Sequence, residues 1–262
     1  MSPPPAWLQP DWPAPANVRA LCTTRQGGVS QAPFDSLNLG NHVGDAPAAV
    51  QANRAALQAA MQEQGRPVRP VFLRQVHGTR TLALCADTPD EAEADACTSA
   101  TPGLACTIMV ADCLPVLLCN RAGTLVAAAH AGWRGLAGGV LEAALAAFAP
   151  QHEAGPSEVL AWLGPCIGPQ AFEVGAEVCA AFCAHDAAAA GCFTAQPGGK
   201  FLADLPALAR RRLRAAGVDA IYGNDGSAPW CTVANPLRFF SHRRGSALGG
   251  SGRMAACVWL AA

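Results

Sequence analysis

The chain has 262 residues, of which 51% are hydrophobic and 14% charged. Lys and Arg total 18 and Asp and Glu total 19, a formal charge of −1. This length can bury a sizeable core without staples, the hydrophobicity excludes a disordered chain, and the balanced charge gives no electrostatic case for a nucleic-acid or anionic-membrane partner.

Residues 1–16 read as a Pro-rich lead-in, and Asn17–Thr24 as a strand running into a turn-rich loop, Thr24–Ser30. Ala48–Gln62 has helical spacing, with Asp45 as N-cap, Pro47 near the first turn, Val50, Leu57 and Met61 on one face, and Gly65 as terminator. Strands at Val71–Val76 and Thr81–Leu84 flank a turn at His77-Gly78. The acidic, Ala-rich residues 86–96 read as a surface loop. Strands follow at Leu104–Val110, Pro115–Cys119 and Thr124–Ala129. A helix is expected over Gly138–Phe148, stopped by Pro150, then a strand at Val159–Leu163. Val174, Val178 and Phe182 mark another helix, residues 184–200 an insertion loop, and Asp204 with Pro206 a last helix closed by Gly217. Strands near Ala220–Tyr222 and Ala255–Leu260 complete the chain. Helices and strands do not alternate strictly, so the expectation is one α+β domain over residues 1–262 with a mixed sheet or two packed sheets.

Twelve cysteines stand out. MSPPPAWLQPDWPAPA has neither the basic nor the apolar region of a signal peptide. The expectation is a cytoplasmic protein with reduced thiols, most of them small buried hydrophobes. The most apolar stretch, Ala122–Phe148, is interrupted by His130, Arg134 and Glu142, which argues against a membrane span. Several motifs are absent: the phosphate loop, since Gly199-Lys200 is followed by Phe201; G-x-S-x-G; H-E-x-x-H; C-x-x-C; and the deaminase H-x-E with P-C-x-x-C.

Three segments remain: Arg74-Gln75-Val76-His77-Gly78, Ala111-Asp112-Cys113-Leu114-Pro115-Val116 and Ala129-His130-Ala131-Gly132-Trp133-Arg134-Gly135. Each sets a His or Cys where an apolar strand gives way to a turn. Two imidazoles and a thiolate leave the fourth position of a zinc open, the catalytic pattern, and Asp112 is placed to orient a ligand or accept a proton. Taken singly, the same residues read as surface histidines and a core thiol, and spacing alone does not pair them.

These segments resemble the signature of the YfiH (DUF152) family, also called the laccase-like multicopper polyphenol oxidase family. The resemblance runs nearly the whole chain, through TTRQGGVS (23–30), SLNLGNHVGD (36–45), RQVHG (74–78), ADCLPVLLCNRAGTLVAAAHAGWRG (111–135), AWLGPCIGPQAFEVGAEV (161–178), FFSHRR (239–244) and GRMAACVWL (252–260). It implies a four-layer α/β/β/α sandwich and a catalytic zinc held by His77, Cys113 and His130. The implied activities are phosphorolysis of adenosine, inosine and methylthioadenosine, deamination of adenosine, copper-linked polyphenol oxidation, and cytoplasmic editing of peptidoglycan precursors. FFSHRR departs from the family by carrying His242 where Tyr is more common.

The residues weigh these activities. Six histidines are too few for a four-copper laccase, although one copper suits a His₂Cys set. Adenosine deamination needs water activated by zinc and a carboxylate to shuttle a proton, from Glu173 or Asp112; Glu173 reads equally as a helix N-terminal carboxylate. Phosphorolysis needs an anion site, for which Arg25 with the Gly27-Gly28 amides is the candidate, with Arg243 or Arg244 adding charge. Trp133 and Phe172 are candidates to stack on a purine. Cys113 as a thiol nucleophile, with His130 or His77 as base, suits an editing amidase, and a structural metal in a non-enzymatic binding module is a third class. The expected partners are a nucleoside and phosphate, with no nucleic acid or membrane, and the protein a monomer or weak dimer.

Overall fold

The longest apolar runs form strands that are buried on every residue: β5 (Leu104–Val110), β6 (Leu114–Asn120) and β13 (Met254–Leu260). Continuous burial of this kind belongs to strands covered on both faces. The computed structural model describes residues 7–62, 67–148 and 158–261. Its four-stranded sheet has the order β1-β13-β5-β2, with β1 at Val18–Cys22 and β2 at Arg69–Phe72. Its six-stranded sheet has the order β12-β8-β6-β7-β4-β3, with β3 at Thr81–Ala83, β4 at Ala96–Ser99, β7 at Val126–Ala131, β8 at Val159–Leu163 and β12 at Ala220–Gly223. Both sheets are mixed, because β2–β5, β3–β4 and β8–β12 run parallel and the other pairs antiparallel.

The alternation of side chains along β6 sorts the core into layers. Leu117 and Cys119 point into the space between the sheets, where they meet Ile108, Val126, Trp162 and Val258. Leu114, Val116 and Leu118 point the other way, into a cluster with Leu136 of α2 (Trp133–Gly138), Leu141 of α3 (Val140–Ala146), Val178 of α4 (Ala176–Cys183) and Leu208 of α5 (Leu205–Ala215). On the far side of the four-stranded sheet, Leu57 and Met61 of α1 (Pro47–Met61) pack on Phe72, Cys257 and Trp259. The result is the α/β/β/α sandwich that the resemblance implies, α+β in class. No helix among the described residues is long and apolar enough to cross a membrane. All twelve cysteines are free.

Several expectations change. Asp45 does not cap α1: its carboxylate takes hydrogen bonds from Ser30 Oγ, Asn38 Nδ2 and the Ala46 amide, and α1 has no side-chain cap. That helix ends at Met61, and Gly65 and Pro150 lie outside the described residues. The expected strand at 71–76 stops at Phe72, because the chain there leaves its sheet for the other. The expected helix 138–148 is two short helices broken at Gly139, whose φ of 103° is left-handed. Val174 sits in β9 (Glu173–Val174), ahead of the helix it was expected to join. The apparent insertion loop 184–200 instead forms β10 (Phe193–Gln196) and begins β11 (Lys200–Ala203), which with β9 make a three-stranded sheet. The lead-in is docked at residues 7–16, where Leu8 pairs with Cys22 through both backbone hydrogen bonds.

Leu117→Ala, which empties the space between the sheets, is expected to lower unfolding free energy in urea by about 2–5 kcal/mol. Leu237→Ala, at a residue 82% exposed, is expected to change it by less than about 0.5 kcal/mol.

Candidate metal centre

Strand direction brings the three candidate ligands together. The parallel strands β2 and β5 leave the four-stranded sheet at the same end, and each chain then crosses to the six-stranded sheet, through His77-Gly78 to β3 and through Asp112-Cys113 to β6. β7 runs antiparallel to β6, so the end of β7 lies beside the start of β6, with His130 opposite Pro115 and Ala131 opposite Leu114. The ligand atoms of His77, Cys113 and His130 consequently lie within 4.8 Å of one another. Cys113 Sγ is 3.7 Å from His77 Nε2, and the two imidazoles meet edge to face at 4.8 Å. His130 is buried, Cys113 half-buried and His77 exposed.

One buried carboxylate organises both histidines. Asp95 accepts hydrogen bonds from the Val76, His77 and Gly78 amides at 3.1, 2.9 and 2.7 Å, holding the turn in which His77 has a φ of 61°. The same carboxylate accepts from His130 Nδ1 at 2.9 Å, which leaves Nε2 as the free lone pair. Burial pushes the Asp95 pKa up, but the hydrogen bonds from His130 and Gly78 outweigh it and hold the carboxyl below its ordinary value. Residues 86–96 therefore do not form a simple surface loop: Ala94, Asp95 and Ala96 are fully buried, and the functional residue missed there is Asp95.

A second carboxylate holds the Cys113 turn. Asp112 has a φ of 84° and accepts from Thr232 Oγ1 at 2.6 Å, Ser241 Oγ at 3.0 Å and the Arg243 amide at 2.6 Å. Gly132 leaves room for the ligands, because a Cβ there would come within 2.9 Å of His77 Cδ2 and 3.0 Å of Cys113 Sγ. In the metal-free protein burial opposes charge at Cys113, yet His130 and His77 bring its pKa down to about 6. Burial likewise disfavours His130⁺, yet the Cys113 thiolate and Asp95 raise its pKa to about 9. A thiolate and two imidazoles, one of them oriented by a carboxylate, fit a tetrahedral zinc with one open position, and equally a single copper.

Two cavities meet at the cluster. One, about 200 Å³, is lined by His42, Gln75, Met109 and Arg253. The other, about 140 Å³, is lined by Trp133, Arg134, Phe172, Asp112 and Arg243. His77, Ala111, Cys113 and His242 border both. A larger cavity, about 410 Å³, lies between the lead-in and α1 and touches no ligand.

The other sequence candidates scatter. Arg243 reaches the Trp133 cavity, where it donates to the Glu173 carbonyl. Glu173 itself is exposed on β9 and lines neither cavity. Arg25 lies elsewhere: its guanidinium pairs with Asp35 at 3.1 Å, donates to the Pro236 carbonyl and stacks on Phe240. The Gly27 and Gly28 amides expected at an anion donate to Ser36 Oγ. Arg244 is spent on the Thr232, Val233 and Phe239 carbonyls. Arg253 and His42, which sequence reasoning missed, do face the ligands.

A family described as multi-copper polyphenol oxidoreductase laccase matches residues 19–261. A protein of Pseudomonas aeruginosa named purine nucleoside phosphorylase is 54% identical over 257 residues, covering 97% of this chain and 98% of its own length. The purine nucleoside phosphorylase YfiH of Escherichia coli is 52% identical over 253 residues, with 97% and 98% covered. Among solved structures, a Neisseria meningitidis protein of family DUF152 superposes with a TM-score of 0.89 at 48% identity, covering 98% of this chain and all of that one. YlmD of Geobacillus stearothermophilus gives 0.86 at 29% identity, with 100% and 98% covered.

Asp95→Asn is expected to weaken zinc affinity by about 10–100-fold in a chelator competition, because it removes the charge that orients His130. In metal-free protein near neutral pH, iodoacetamide is expected to label Cys113 and the exposed Cys85 ahead of the buried thiols. Cys113 labelling should fall off only as pH drops through about 6. Added zinc should protect Cys113 and leave Cys85 reactive, as read by peptide mass spectrometry.

Proposed function

This chain belongs to the multi-copper polyphenol oxidoreductase laccase family, and from that premise we propose that it is a zinc-dependent purine nucleoside phosphorylase. Its substrates are adenosine, inosine and methylthioadenosine with phosphate, and it deaminates adenosine as a second activity. The observation that carries the reading is the convergence of His77, Cys113 and His130, with one imidazole oriented by Asp95, where two cavities meet and share His77 and Cys113. The names carried by relatives that match this chain at 52–54% identity support the substrate class.

Zinc held by these residues would supply Lewis acidity and lower the pKa of a water toward neutrality. The chain's own groups supply orientation. Trp133 and Phe172 offer aromatic surface to a purine in the smaller cavity, with Arg243 beside them and 6.0 Å from the Phe172 ring. Asp112 is the carboxylate that borders this cavity, and we assign it the proton transfer of deamination in preference to Glu173. That role requires it to release one of its three donors. We place the protein in the cytoplasm, a reading supported by its twelve free cysteines, and assign copper a place only as a substitute ion in the His₂Cys set.

A second reading rests on the thiolate–imidazolium pair of Cys113 and His130 in the metal-free state. In it Cys113 attacks an amide carbon with His130 as proton carrier, as in an amidase acting on a peptidoglycan precursor. Chelation separates the two readings: a thiol nucleophile keeps working without metal, whereas the zinc enzyme does not.

Protein of measured zinc content, incubated with inosine and phosphate, is expected to release hypoxanthine and ribose 1-phosphate. Incubated with adenosine, it should also yield inosine. Activity should vanish on chelation and return with zinc, and Cys113→Ala should abolish it while melting like the chelated wild type. Absence of ribose 1-phosphate from zinc-loaded protein defeats the phosphorylase reading.

A further inference from the structure

Arg253 is unusual among the arginines of this chain. It is half-buried, and no carboxylate lies within ion-pair distance of it among the described residues. Among the described residues its side-chain hydrogen bonds run from Nη1, to the Ser251 and Gly252 carbonyls at 2.8 and 3.2 Å, with none from Nε or Nη2. Arg25 pairs with Asp35, Arg54 lies beside Glu91 and Arg244 is spent on three carbonyls, while Arg243 belongs to the other cavity and donates to the Glu173 carbonyl. Its charge is met only through space, by Cys113 and Asp112, so its two open N–H groups can take a further anion.

The fold also makes a place for this side chain. Asn38 Oδ1 accepts from both the Gly40 and Arg253 amides, so the 38–42 loop and the start of β13 are tied together. A Cβ on Gly40 would come within 2.7 Å of Arg253 Cγ, so the glycine is what lets the arginine stem pass. The stem delivers the guanidinium into the 200 Å³ cavity, with His42 on the same wall and Cys113, His77 and His130 facing it. Burial, followed by the Arg253 charge, lowers the His42 pKa, and its imidazole brings a second nitrogen group to the same lining. Gln75 is not available to a ligand, since its amide clamps both backbone groups of Met109.

We propose that the Arg253–His42 cavity is the phosphate subsite, across the shared His77–Cys113 border from the purine. This deepens, and rests on, the phosphorylase reading. Arg matches phosphate oxygens with a two-pronged fork. The two-sided arrangement also suits the chemistry. A phosphate oxygen bonds to ribose C1′ from one face as the C1′–N9 bond breaks on the other. The electron pair of that bond goes to the purine, which takes up a proton, and ribose 1-phosphate remains. The ribose then spans the shared border at His77, Cys113 and His242.

The test uses inorganic phosphate as the probe, titrated calorimetrically into zinc-loaded full-length protein, beside the phosphate and inosine KM values in phosphorolysis. Arg253→Met is expected to weaken phosphate binding and raise the phosphate KM by about tenfold or more, with the inosine KM changed less than about twofold and zinc content intact. Arg253→Lys should fall between, keeping the charge and losing the fork. Arg25→Met should leave phosphate binding as it was. No phosphate binding by the wild type, phosphate affinity unchanged in Arg253→Met, or a loss produced by Arg25→Met in its place, each overturns the proposal. Should Arg253→Met fail to fold, an Arg253→Lys affinity equal to wild type overturns it. Phosphate binding that depends on Arg253 in a protein that makes no ribose 1-phosphate sinks the phosphorylase reading and leaves the subsite standing.

Discussion

The centre depends on a carboxylate that is not itself one of the three candidate ligands. Asp95 is completely buried and accepts from three consecutive backbone amides and from one imidazole. Each bond alone is ordinary. Together they solve two problems that sequence separates: the left-handed turn presenting His77, and the ring orientation of His130. A buried carboxylate is tolerable only with this degree of satisfaction. Its position just ahead of β4 explains how one side chain reaches both. The β4 start pairs with the end of β7, at Ala96 and Ala129, and the parallel β3 begins next to it.

Asp112 repeats the device at the other crossing. Its own backbone is left-handed, and its oxygens take a threonine hydroxyl, a serine hydroxyl and an amide from the segment that opens α6 (His242–Gly245). Two anionic side chains thus stabilise two strained turns, and each turn carries one ligand. Such conformations cost on the order of 1–3 kcal/mol and persist only where surroundings over-determine them. Gly132 complements both turns by omitting the side chain that would strike His77 and Cys113.

How much of this was legible in the sequence follows from where its information lies. Apolar period-two and continuous runs marked β5, β6, β8 and β13 well, since burial on both faces leaves little else to read. His77, Cys113 and His130 stood out because each interrupts an apolar strand at a turn, although only strand direction and register put them together. Asp95 was hidden by composition: an acidic, alanine-rich stretch reads as solvated surface, and nothing local says that one of its carboxylates faces inward. Arg25 drew attention because its glycine-rich loop resembles an anion nest. The loop's tightness has another purpose, as Ser36 Oγ takes both amides and a Cβ on Gly28 would lie 2.2 Å from the Ser36 carbonyl. Arg253, by contrast, sits at a strand start with no local sign of function, and its significance comes from Gly40, more than two hundred residues away.

The crossings at His77 and Cys113 have a consequence for assembly of the molecule. Each lies on chain that passes from one sheet to the other, and His130 belongs to the second sheet alone. A folding chain that has built a single sheet possesses no three-point site, because the site is a property of the docked seam. An ion bound there recognises the finished sandwich and discriminates against every partly docked form. By mass action it then acts as a clasp on that edge, drawing the population toward the closed arrangement. Occupancy of the centre would in that way report on the integrity of the interface between the two sheets.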